Sequence, residues 1–105
     1  GSVLGIAVVA AAVLAAAAAI PVAGAFVAKA RADSAADAAA LAAADTLSGR
    51  IPGYPCEQAR HLAELDATSL TSCGISGLIA TVAVETRYAG LTITARARAG
   101  PPTRP

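Results

Sequence analysis

Polarity divides the chain unevenly. Residues 1–28, GSVLGIAVVAAAVLAAAAAIPVAGAFVA, carry no ionisable side chain, and at about 1.5 Å per helical residue they would reach roughly 42 Å, more than the roughly 30 Å hydrocarbon core of a bilayer. The pattern predicts a membrane-length helix. Alanine dominates it, and a methyl side chain gains little from lipid, whereas small residues let neighbouring helix backbones approach closely. The segment is therefore expected to leave lipid for other helices.

Two spacings refine that expectation. Ile6, Val13, Ile20 and Val27 recur every seven residues and Leu41 falls in the same phase, while Val9, Ala16, Ala23 and Ala30 form a second, mostly small seam. With Gly1 and Gly5, the larger of these are the candidate helix-packing positions. Coincidence within so apolar a segment is the competing reading. Pro21 lacks an amide hydrogen and crowds the carbonyl of Ala17, which predicts a kink or local opening over residues 17–24, with Gly24 adding looseness. An ordinary kinked transmembrane helix accounts for the same residues.

Helical character continues past the apolar stretch, because residues 29–47 contain neither Gly nor Pro and are rich in alanine. One helix is predicted from about Val3 to about Leu47, roughly 65–70 Å long, stopped by Gly49 and Pro52. Lys29, Arg31 and Asp33 are candidates for charge pairing between copies if this part is buried in an assembly; a solvated face is the alternative.

Beyond Arg50, RIPGYP reads as a loop, and CEQARHLAELDA as a short amphipathic helix with Pro55 at its start. Periodicity then changes to two. Residues 69–73 predict a first strand, 74–77 a turn, 78–85 a second strand, 87–90 a turn and 91–99 a third. In the third, Leu91, Ile93, Ala95, Ala97 and Ala99 alternate with Thr92, Thr94, Arg96 and Arg98, so one face is core and the other wet. Arg96 and Arg98 mark either a surface for an anionic partner or an edge strand guarded against pairing. Gly100 to Pro105 form a non-regular tail. The fold class is α+β: a hydrophobic helix at 1–28, its continuation at 29–49, and a small αβ head at 50–105 with a three-stranded antiparallel sheet.

Composition narrows the function. The formal net charge is only +1, with neither Trp nor Met and three aromatic residues, Phe26, Tyr54 and Tyr88, which argues against a nucleic-acid-binding module. No Ser, His and acid grouping has catalytic spacing, so no enzyme and no cofactor or metal is expected, and His61 reads as a surface residue. Cys56 and Cys73 read as one disulfide stapling a small domain, against two free buried thiols. Lys29 and Arg31 would hold the head on the cytoplasmic side by the positive-inside rule, whereas a disulfide requires the other side. A basic leader removed after insertion would resolve that conflict.

The opening GSVLG, the run ARADSAADAAALAAA, two cysteines flanking a short helix and the ending TARARAGP resemble the TadE-like proteins of high-GC Gram-positive bacteria, encoded in tight-adherence (type IVc-like) pilus clusters. The resemblance covers essentially the whole chain and is most specific in the ARADSAADAAALAAA run and the TARARAGP ending. It implies a pilin-like fold and a structural subunit, cleaved by a prepilin peptidase and held in the inner membrane before an assembly platform polymerises it with copies of itself. The product would be an extracellular filament at the cell surface, serving adhesion to a host surface or DNA uptake. A membrane-anchored minor pilin or accessory protein is the alternative. One departure stands out: type IV pilins commonly carry a glutamate at the fifth mature position, and Gly5 occupies it here. Register would then come from helix packing and the shape of the head.

Overall fold

A computed structural model describes residues 1–102; the tail positions Thr103 to Pro105 lie outside the described residues. The order is α1 (Ser2–Leu47), α2 (Pro55–Leu65), β1 (Ser69–Ser76), β2 (Ile79–Tyr88) and β3 (Leu91–Ala99). The three strands form one antiparallel sheet in the order β1-β2-β3. The fold is α+β, with one disulfide.

α1 is 46 residues long and sets the 72 Å long axis of the molecule. Alanine favours the helix throughout, and its end is built by backbone bonds: Arg50 N–H donates to Asp45 O (2.9 Å) and Gly49 N–H to Thr46 O (3.1 Å). Gly49 takes the left-handed conformation this Schellman closure requires, with φ of 81°. Glycine is the stop the sequence predicts.

Only the C-terminal half of α1 is covered. Ala32, Ala35, Ala36, Ala39, Ala40 and Ala43 are buried, a stripe at three- and four-residue spacing that packs against α2, β2 and β3. α2 answers with Ala59 and Ala63, four apart, and the sheet with Ala80, Val82, Val84 and Ala95. Val82 and Val84 are the largest fully buried side chains. Close packing of methyl groups makes this core thin, since each contributes about 0.8 kcal/mol where a Leu would contribute several times more.

α2 begins at Pro55, where the missing amide hydrogen costs nothing, with Glu57 in its first turn opposite the helix dipole. After Ala67, at φ of 56°, Thr68 folds back and donates both its N–H (3.1 Å) and its hydroxyl (2.8 Å) to Ala63 O. That turn aims β1 back along α2, and Cys56 and Cys73 meet with Cα atoms 5.9 Å apart in a disulfide. Of the two readings of the cysteines, the paired one holds.

The sheet corrects two turn boundaries. Gly74 does not open a turn: it pairs with Thr81, Ile75 with Ala80 and Ser76 with Ile79, so β1 continues until Gly77, whose φ of 60° supports a tight connection. Arg87 and Tyr88 likewise stay in β2, paired with Thr92 and Leu91, and the reversal is made by Ala89 and Gly90 alone. Both have positive φ, 50° and 80°, the geometry that matches the right-handed twist of a hairpin. The ladder bonds outweigh the turn propensity of Gly74. Thr71 is a bulge between Leu70 and Ser72 and donates its hydroxyl to Ala83 O (3.1 Å).

Two stability measurements follow from this core. Removing the staple in a Cys56→Ser/Cys73→Ser variant should cost the head about 3 kcal/mol in denaturant unfolding, the chain-entropy expectation for a loop of this size, and an unchanged midpoint would show that the alanine core suffices. Ala89→Asn, relieving a left-handed alanine, should raise stability by about 1 kcal/mol; a loss there would mean that the hairpin is not the reversal described.

The candidate assembly surface and the junction at Gly24

Everything N-terminal to the head is bare. Every residue from Gly1 to Ala23 is exposed, including the candidate packing positions as far as Ile20, with Ile6 at 70% and Ile20 at 73%; Val27, beyond this range, is exposed as well. In water this is not a tolerable surface, because a helix that is apolar all round is buried in a protein or in a membrane. α1 is long and apolar enough to cross a membrane, by length and composition. Residues 2–23 span about 33 Å at helical rise, close to the hydrocarbon thickness.

The candidate positions share this rod. Gly5, Ile6 and Val9 lie together on it with Ser2 and Ala10 around a shallow, apolar notch, and among the described residues nothing approaches the place where a Gly5 side chain would stand. Gly1 precedes the helix and its carbonyl accepts from Gly5 N–H at 3.2 Å. On a helix of 3.6 residues per turn a seven-residue repeat drifts about 20° each time. Ile6, Val13, Ile20 and Val27 therefore share one broad stripe spanning about 60°. Leu41, two further repeats on, is carried about 100° from Ile6. It is 57% exposed and borders a groove of about 290 Å³ with Leu78, Gly100 and Pro101. The head leaves that residue uncovered.

α1 runs on through Pro21, and the head is attached at this same stretch. Tyr88, at the end of β2, donates its hydroxyl to Pro21 O at 3.0 Å. Its ring lies against Gly24, where a Cβ would stand 2.6 Å from Cζ and closer still to the phenolic oxygen. Gly24 is thus the space into which Tyr88 fits. One turn on, Lys29 Nζ donates to Thr94 O at 2.7 Å and to Asp33 Oδ1 at 2.9 Å. Lys29 and Asp33 are partnered within the chain, and Arg31, exposed, makes no ion pair among the described residues.

Sequence reasoning passed over Tyr88 and Thr94. A signal was there: in β2 the inward positions alternate Ala80, Val82, Val84, Thr86, so Tyr88 falls in phase with the core and had to meet α1. Arg96 and Arg98 lie exposed on β3, an edge strand, on the sheet face turned away from α1. His61 is exposed on α2. No protein-family model, curated protein or solved structure matches the chain.

A double-mutant cycle tests the junction. Tyr88→Phe should lose about 0.5–1 kcal/mol in the native background. Gly24→Ala should return none of the roughly 1 kcal/mol that helix propensity alone offers. In the Gly24→Ala background Tyr88→Phe should then cost nothing, whereas additive costs would show that the two residues are not in contact.

Proposed function

We propose that this chain is a structural subunit of an extracellular tight-adherence (type IVc-like) pilus, polymerising through residues 1–28 with the stapled head outside. The observation that carries the reading is the completely uncovered apolar half of α1 joined without a break to a half that is already packed. Such a rod needs a partner over its whole circumference, and its alanine-rich surface suits close helix packing better than lipid, where association gains nothing from hydrophobicity and depends on van der Waals fit. No ionisable side chain lies within residues 1–28, so register in the filament comes from shape, with the Gly5 notch and the Ile6 to Val27 stripe as its features.

Before assembly the same rod crosses the inner membrane, where prepilin peptidase and the assembly platform would meet it. The chemistry is packing and not catalysis. The head would meet what the filament touches, a host surface or DNA, with Arg96 and Arg98 as its outward cations. A rod of bilayer length favours a second reading, an anchored minor pilin or accessory protein of the same machine.

Replacing Ala16 and Ala18 with Leu adds three carbons at each position, about 2 kcal/mol each toward lipid, and enlarges a surface that must pack closely. Cells carrying Ala16→Leu/Ala18→Leu should retain more of the chain in the membrane and shed fewer filaments. Unchanged filament yield contradicts polymerisation through this helix, and recovery of the native chain only from detergent-solubilised membranes favours the accessory reading.

A further inference from the structure

The place where the head grips α1 coincides with the end of the apolar rod. Residues 2–23 reach about 33 Å, the first ionisable side chain is Lys29, and Tyr88 is fastened between them, at Pro21 and Gly24. The hairpin carrying Tyr88 runs alongside the helix, so its reversal at Ala89 and Gly90 faces the bare rod rather than the rest of the head. Leu91, which follows, is 63% exposed, and Phe26, at a similar level but on the face of the helix turned away from the sheet, is 72% exposed. Arg87, exposed on β2, Lys29 and Arg31 stand just behind this apolar edge. An amphipathic tyrosine with exposed apolar residues at its level and cations behind is the composition found at the boundary between hydrocarbon and headgroups.

We infer that the β2–β3 hairpin is a seat for the headgroup layer of a phospholipid bilayer: with residues 2–23 across the hydrocarbon, Leu91 and Phe26 enter the interface, Tyr88 lies at its level, and Arg87 and Arg31 meet lipid phosphates. This rests on reading residues 2–23 as the span before assembly. The seat fixes insertion depth, because sinking further would carry Lys29 and the hairpin backbone into hydrocarbon, and rising would expose apolar turns of α1 to water. It also holds the head against the membrane instead of letting it swing, since Tyr88 and Lys29 bind the sheet to the helix on both sides of Phe26.

The chain contains no Trp, so single-tryptophan variants of the full chain report depth directly. Leu91→Trp, at an exposed position, is reconstituted in phosphatidylcholine–phosphatidylglycerol vesicles beside Val13→Trp within the span and Tyr54→Trp on the loop before α2. Each is quenched with lipids brominated either near the headgroup or deep in the acyl chain. The hairpin variant, Leu91→Trp, should emit at shorter wavelength than the loop variant, Tyr54→Trp, and lose most of its intensity to the shallow bromines. The span variant, Val13→Trp, should be quenched by the deep bromines and the loop variant by neither. A quenched span variant with a hairpin variant that behaves like the loop variant overturns the seat and leaves the span standing. A hairpin variant that is blue-shifted but unquenched also overturns it, since a second copy then covers the hairpin. An unquenched span variant removes both span and seat. Filament formation is read separately by electron microscopy of sheared cell surfaces, so a hairpin seated in vesicles together with cells that carry no filaments contradicts the pilin reading alone.

Discussion

The molecule depends on the continuity of one helix. α1 gives its last turns to the head as a stripe of methyl groups and its first turns to nothing among the described residues, and no loop intervenes to let the two halves move apart. Whatever holds the bare half therefore positions the head. Alanine suits both duties for one reason: a helix without bulky side chains approaches another backbone closely and loses no side-chain entropy on doing so. The same economy leaves each contact weak. Inside the head the weakness is offset by the Cys56–Cys73 staple; outside it, in the filament we propose, repetition over many turns and copies would offset it.

Pro21 and Gly24 show how local propensity and tertiary context divide the work. Alone, a proline and a glycine three residues apart predict a loosened helix. In the fold, the missing side chain at Gly24 admits the Tyr88 ring and the Pro21 carbonyl receives its hydroxyl, so the stretch of α1 with the poorest helix formers carries the outermost bond between sheet and helix. The head needs that bond, because beyond Ala32 toward the N-terminus α1 has no buried residue to grip.

Much of this was legible in the order of residues. The unbroken run of helix formers, Gly49 as a stop, Pro55 as a start and the two-residue alternation of β3 rest on local rules, and the structure follows them. Gly74 and Arg87 misled because turn propensity is weaker than a completed ladder of backbone bonds, and the ladder depends on a partner strand that local composition does not reveal. The Tyr88–Pro21 and Lys29–Thr94 bonds join residues 67 and 65 positions apart, and only the phase of β2 hinted at the first. The bareness of residues 1–23 was legible as apolarity; what covers them was not, since the same composition suits lipid and neighbouring helices.

That ambiguity is resolved by looking at neighbours. A helical reconstruction by electron cryomicroscopy of filaments sheared from cells expressing the chain, with their subunit identified by mass spectrometry, locates every copy of α1. Residues 2–23 of adjacent copies in van der Waals contact along the filament axis, with the disulfide-bonded heads on the outside, is the result the account predicts. Filaments built from another protein, with this chain recovered only as a monomer in the bilayer, would contradict it.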